Sequence, residues 1–337
     1  MSGSPNVDVN TPRWIWFAQK LGPLLALAVV IVVFWIADSW QEDGGTFLTV
    51  RNAQVVLTQT AVVAIAALGM TIIIISGGID LSVGTAMILS AVVLAAALDH
   101  QWSIGLAVIA CLASGCLVGL FNGLLINFLR IVPFVVTLGT MTICLGVGKY
   151  FAAETTVRPP LANIPDWLGG LVSTRQEFLL AGLPMGVWLT LVLAVVVAAM
   201  LRYTVFGRHV YALGSNESTA RLCGINVPLT KIAIYGVAGV FVGVAGICYF
   251  AKLKSVNPTA GLGFELRVIA AVVIGGGSLS GGHGSVLGTL TGALIMGVIY
   301  SGCTQLGVRN LTTDILIGAI IIAAVTLDQI RQRRLAA

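Results

Sequence analysis

Side chains able to do chemistry are scarce in this chain, and the informative ones gather in a few short stretches. Asp80 is the acid set deepest among apolar residues, in the run Gly77-Gly78-Ile79-Asp80-Leu81-Ser82-Val83-Gly84. A carboxylate carried into a bilayer costs ~2.5–3.5 kcal/mol on insertion scales, so such an acid is a candidate for function. Three roles are open to Asp80: capping the helix that follows it, meeting a substrate or gating its path, and relaying a proton. Among the uncharged polar side chains inside apolar runs, threonines can bond back to their own helix. Asn122 and Asn127 are harder to account for in that way. Such neutral groups suit a polyhydroxylated solute better than an ion, because the apolar runs hold no acid pair and no Arg–carboxylate pair.

A second stretch is Arg202 to Lys231, the longest polar segment of the second half. Helix signals sit in its middle. Ser215 or Asn216 can cap, Glu217 falls in the first turn, Gly224 fits a C-terminal stop, and Pro228 lies just beyond. The expected helix, Ser215 to Gly224, has about two turns. A helix that short is marginal in water and calls for a partner surface.

The rest of the chain supplies the frame for these residues. Its 337 residues are 58% hydrophobic and only 9% charged, against roughly 25% charged in soluble domains. Apolar residues come in blocks of about twenty, enough to cross a hydrocarbon core of ~30 Å. An all-α, polytopic membrane protein follows, with ten spans expected at 21–38, 55–76, 82–98, 104–128, 132–151, 184–201, 231–251, 266–277, 285–303 and 311–327. An even number puts both termini on one side. Lys and Arg favour that side as the inner one, with Arg13, Lys20, Arg130, Arg202, Arg208, Arg221, Lys231, Arg331, Arg333 and Arg334 there. The expected organisation is an N-terminal cytoplasmic segment (1–20), one transmembrane domain (21–327) and a basic cytoplasmic tail (328–337). The inner loop is 202–231. The outer loop, 152–183, is rich in Pro, Trp and Gly, and should hold a short interfacial helix near Pro165–Leu171.

Glycine patterns add two expectations. Residues 77–84 can be laid on Gly275-Gly276-Gly277-Ser278-Leu279-Ser280-Gly281-Gly282 with five of eight identities, and glycine-broken spans in corresponding halves point to a transport pathway. Small residues four apart (Gly115, Gly119, Gly123; Gly239, Gly243; Gly288, Gly292) favour close helix packing in lipid.

Several functions are disfavoured. Gly148-Lys149 lacks the earlier glycine of a phosphate loop. His100, His209 and His283 are isolated, and the six cysteines show no paired metal spacing. No basic stripe suits nucleic acid. The residues therefore suggest a transporter without a cofactor and without catalysis of its own.

Three runs carry a family resemblance: GMTIIIISGGIDLSVG (69–84), GRHVYALGSNESTARLCGINVPLTKI (207–232) and NPTAGLGFELRVIAAVVIGGGSLSGGHGSVLGTLTGALI (257–295). The chain resembles permease subunits of bacterial ABC importers for ribose, xylose, arabinose and galactose-type sugars, most of all the ribose type. That resemblance implies a multi-pass protein of the bacterial inner membrane. It also implies pairing with a second copy or a related permease, a separate cytoplasmic ATPase, and a sugar-binding protein outside. It makes 215–224 the coupling helix, with Gly207, Ala212, Gly214, Ser215, Asn216, Glu217, Ala220, Arg221 and Gly224 in the ATPase-coupling segment. The candidate pathway or gate set is Asp80, Gly77, Gly78, Ser82, Asn122, Asn127, Gly275 and Gly276. Arg267 departs from the family pattern, which carries an acid at that point. An ion-coupled sugar transporter using Asp80 and a passive channel are the alternatives.

Overall fold

Once a chain is in lipid, its backbone must satisfy itself, and helices are the local way to do so. The computed structural model describes residues 13–40 and 45–336. Thirteen α-helices account for nearly all of its regular structure: α1 (Arg13–Ser39), α2 (Val50–Ile75), α3 (Val83–Asp99), α4 (Ile104–Leu129), α5 (Pro133–Phe151), α6 (Asp166–Gly170), α7 (Met185–Tyr203), α8 (Val205–Ser215), α9 (Glu217–Leu222), α10 (Val227–Leu253), α11 (Phe264–Ile274), α12 (Val286–Gln305) and α13 (Asn310–Ala336). One two-stranded hairpin, β1 (Leu179–Leu180) with β2 (Leu183–Pro184), lies among them. Of the expected N-terminal segment, residues 1–12 lie outside the described residues. At the other end α13 continues through the expected tail as far as Ala336.

Each expected span meets a helix, yet they are not equal. Among the described residues seven helices are long and apolar enough to cross a membrane, and α3 and the Leu311–Ala323 part of α13 are shorter apolar helices. α11 has 11 residues. At 1.5 Å per residue it reaches ~16 Å, about half the hydrocarbon core. The segment expected as span 266–277 is therefore a half-helix, stopped by the Gly275–Gly277 run.

α2 is the axis of the molecule, with 89% of its apolar window buried. It packs against α7, α8, α10, α11 and α12, and Gly69 lets α10 approach: a Cβ there would lie 3.0 Å from the Ala238 carbonyl. The expected small-residue stripes are packing surfaces. Gly115 faces Gly239 and Gly243, Gly119 faces the Tyr235 backbone, and Gly123 faces Ile232, joining α4 to α10. Gly288 and Gly292 let α12 close on the backbone of α11. α1, α4, α5 and α7 form the outer layer, with 6%, 22%, 28% and 28% of their apolar windows buried.

The 152–183 loop is ordered and tied to the body. α6 occupies the expected place for its short helix, directly after Pro165. Asn163 Nδ2 donates to the Leu98 carbonyl at 2.9 Å, Gln54 Nε2 donates to Gly182 at 3.0 Å, and Val157 exchanges two 3.0 Å backbone bonds with Val256.

Candidate functional site

The polar loop 202–231 folds as two helices where one was expected. Thr204 Oγ1 accepts from the Gly207 amide at 3.1 Å and starts α8. Gly207 is required at this bend, because a Cβ would run into the backbone of Leu201. α8 buries Gly207, Val210 and Leu213, a three-residue spacing that marks one helical face. The signal was present in the sequence: a Thr cap followed by apolar residues at 206, 210 and 213. Charge and polarity around that face hid it.

Ser215 ends α8 and lies exposed, so Asn216 is the cap of the second helix. Its Oδ1 accepts from the Thr219 amide at 2.9 Å, and its own amide donates to the Ala212 carbonyl at 3.1 Å. α9 buries Ala220 and leaves Leu222 88% exposed. Glu217 accepts from Lys231 at 2.7 Å and from Arg221 at 3.3 Å, which pins the start of α9 to the start of α10. Gly224, at φ +84°, ends α9 in a Schellman turn, with the Ile225 amide donating to Ala220 at 3.1 Å.

The same turn closes both glycine hairpins. After α2, Gly77 adopts φ +81°, its amide donates to Ile74, and the Gly78 amide donates to Ile73. After α11, Gly276 adopts φ +90°, with amide bonds from Gly276 to Val273 and from Gly277 to Val272. Gly77 therefore corresponds to Gly276, one position away from the sequence pairing of Gly77 with Gly275. Glycine-rich matches slide easily, whereas the left-handed residue of a helix stop is unique. Gly275 has a packing role instead, since a Cβ there would meet the Gly288 carbonyl.

These separate stretches meet at one end of the bundle. The Gly282 amide donates to the Ile75 carbonyl at 2.8 Å, linking the two hairpins. Gly214, at the end of α8, is wedged against both. A Cβ at Gly214 would collide with the Ile75 carbonyl and lie 2.6 Å from the Gly282 nitrogen, and one at Gly281 would lie 2.9 Å from the Gly77 Cα. Tyr211 secures the contact by donating its hydroxyl to the Gly284 carbonyl at 3.1 Å. Burial pushes the Tyr211 pKa up, so the hydroxyl stays a neutral donor. The residues expected to couple and the residues expected to gate are thus in backbone contact.

Asp80 sits beside this junction at 6% exposure. Its Oδ1 accepts from the Ser82 amide at 2.7 Å and the Ser82 hydroxyl at 2.6 Å. The cap position of α3 belongs to Ser82, so Asp80 closes the turn before the helix and does not bond its first-turn amides. Asn122 Nδ2 donates to Ser82 Oγ at 2.9 Å, bringing α4 into the cluster. Its Oδ1 is buried and meets no hydrogen-bond partner among the described residues. Thr137 Oγ1, on α5, accepts from the Leu81 amide at 3.1 Å. α4 and α5 therefore both hold the turn that leads into α3. Asn127 stands apart from it, donating to Gly123 and Pro228. Thr137 and Tyr235 complete the hairpin's surroundings, and their distance in sequence gave no signal of it; Gly78 faces the Tyr235 hydroxyl.

The opposite end of α2 and α12 carries a cleft of about 460 Å³ lined by Thr46, Thr49, Arg51, Asn52, Val55, Gln59, Ser301, Thr304 and Gln305. Nearby, Arg267 pairs with Asp314 at 3.6 Å and lies 4.9 Å from the Tyr300 ring centre, so its departure from the family pattern is locally compensated.

The molecule is thus a bundle of full spans and one half-span, with a capped two-helix loop packed against two glycine hairpins. A family model described as branched-chain amino acid transport system / permease component matches residues 52–325. This chain belongs to that permease family. The permease is 36% identical over 322 residues to the ribose import permease protein RbsC of Escherichia coli K12, across 96% of each chain. It is 38% identical over 312 residues to the RbsC of Bacillus subtilis 168, across 92% of this chain and 93% of that one. With the fructose import permease protein FrcC of Rhizobium meliloti the identity is 36% over 314 residues, across 91% and 84%. The permease match includes all three runs that carried the resemblance.

Proposed function

We propose that this permease forms the membrane pathway of an ATP-driven importer for a monosaccharide of the ribose type, in the bacterial cytoplasmic membrane. It works as a pair, with a second copy or a related permease. A separate ATPase docks on α9 and the adjoining end of α8, and a sugar-binding protein delivers its load at the opposite face, where loop 152–183 lies. Asp80, Ser82 and Asn122 hold the hairpin that gates the inner end, with Gly77, Gly78 and Gly276 as its turns. The observation that carries this reading is the backbone contact of Gly214 with Ile75 and Gly282. A push on α9 passes through Asn216 into α8, and from there to the ends of α2 and α11 with no flexible side chain between.

The test is reconstitution. The chain, its neighbouring ATPase and the binding protein encoded with it are placed in proteoliposomes, and uptake of labelled D-ribose is followed. Uptake should require ATP and both partners. Uptake by this chain alone, driven by a proton or sodium gradient, would overturn the proposal.

A further inference from the structure

A cleft of about 660 Å³ opens where the end of α4, the start of α5 and the α9–α10 turn meet, and Arg130, Glu217, Arg221 and Lys231 line it. Three cations face one carboxylate. Glu217 is engaged by Lys231 and Arg221, and Arg130 has no ion-pair partner among the described residues. Arg130 is held at the C-cap of α4 in the left-handed region, φ 52°, a conformation that non-glycine residues rarely adopt. The rim beside it is apolar and bare: Phe128 is 81% exposed, Val132 65% and Leu229 64%. These side chains form a bare apolar surface, and the uncompensated charge sits at its edge.

We propose that this cleft binds the headgroup of an anionic phospholipid. Its phosphate lies against Arg130, with Lys231 and Arg221 completing the shell, and its acyl chains run along Phe128, Val132 and Leu229. Guanidinium groups match phosphate oxygens in geometry as well as charge, and basic pockets between spans on the cytoplasmic side recruit anionic headgroups. A water-borne acidic protein segment would satisfy the cations and leave the apolar rim unexplained. The lipid phosphate competes with Glu217 for Lys231 and Arg221, so bilayer composition sets how firmly α9 is held. The cytoplasmic placement rests on the function proposed above; the binding itself does not.

Native mass spectrometry of the full chain in mixed micelles tests it, with phosphatidylglycerol and phosphatidylcholine titrated separately. Wild type should retain phosphatidylglycerol in preference to phosphatidylcholine. Arg130→Gln should weaken phosphatidylglycerol about fivefold, the factor for losing one cation at an anionic surface, and Arg130→Lys should restore most of it. Millimolar inorganic phosphate should not displace the lipid. Equal retention of the two lipids overturns the proposal, as does unaltered binding by Arg130→Gln or full displacement by free phosphate. None of these readouts involves sugar or ATP, so a failure here is separable from a failure of the import function.

Discussion

The Gly282 amide bonds the Ile75 carbonyl at 2.8 Å, and Gly214 of α8 lies against both atoms. Two hairpins far apart in sequence are thereby joined to each other and to the loop that an ATPase would move. Packed interiors shift between discrete arrangements more readily than they deform, so a contact without side chains transmits displacement with little loss.

Gly214→Ala should break this transmission. Overpacking costs ~1–3 kcal/mol, enough to push α8 off the hairpins. We expect ribose uptake to fall by at least about fivefold while ATP hydrolysis by the complex continues. Gly224→Ala, where a Cβ would meet nothing within 4 Å but φ is +84°, carries only left-handed strain of ~1–2 kcal/mol. It should lose less uptake. Equal losses in the two variants would count against a special role for Gly214.

At Asp80 the amide and acid variants separate two roles. Asp80→Ala leaves the buried Ser82 amide and hydroxyl without their acceptor, a cost of ~1–3 kcal/mol, and should lower the thermal midpoint in detergent. Asp80→Asn keeps an acceptor oxygen and should stay near wild type in both midpoint and uptake. Complete loss of uptake in Asp80→Asn, with an unchanged midpoint, would show that the negative charge itself takes part in transport.

Glu217→Lys reverses the charge that Lys231 and Arg221 meet. With the Glu217 side chain 43% exposed and that of Arg221 69% exposed, the ion pairs contribute under ~1 kcal/mol each to stability. The midpoint should move little. ATPase stimulation and assembly should suffer, because the charge lies at the N-terminus of α9, where a cation is disfavoured. Normal coupled uptake in this variant would remove Glu217 from the coupling surface.

Tyr211→Phe deletes the donor to the Gly284 carbonyl. Hydrogen exchange at residues 281–285 should quicken by about fivefold, matching a net bond of ~1 kcal/mol. Burial raises the Tyr211 pKa above its ordinary 10.0, so the neutral donor is favoured by folding. Its contribution is therefore constant below pH ~10 and declines as pH rises further. A wild-type protection factor at these amides, corrected for base-catalysed intrinsic exchange, that changed between pH 6 and 8 would contradict the assignment.

Much of the architecture was legible along the chain because it is local. Runs of apolar residues set the helical spans, Asn216 and Gly224 set the ends of α9, and the four-residue glycine spacings named the faces by which α4 meets α10 and α12 meets α11. α8 was hidden because its buried face is only three residues wide and lies among charges. The half-length of α11 was hidden because an apolar run merges with the glycines that end it.

What the sequence determined by itself was the class of the protein, the membrane as its solvent, and the motifs of its family. Each of these depends on neighbouring residues and their periodicity. Only the tertiary structure decided that Gly77, Gly214 and Gly282 share one junction, that Ser82 stands between Asp80 and Asn122, and that Arg130 opens into a cleft with Lys231. Those relations depend on which helix ends are brought together. Glycine, the residue that permits the closest approach, carries no side chain to say what it will approach.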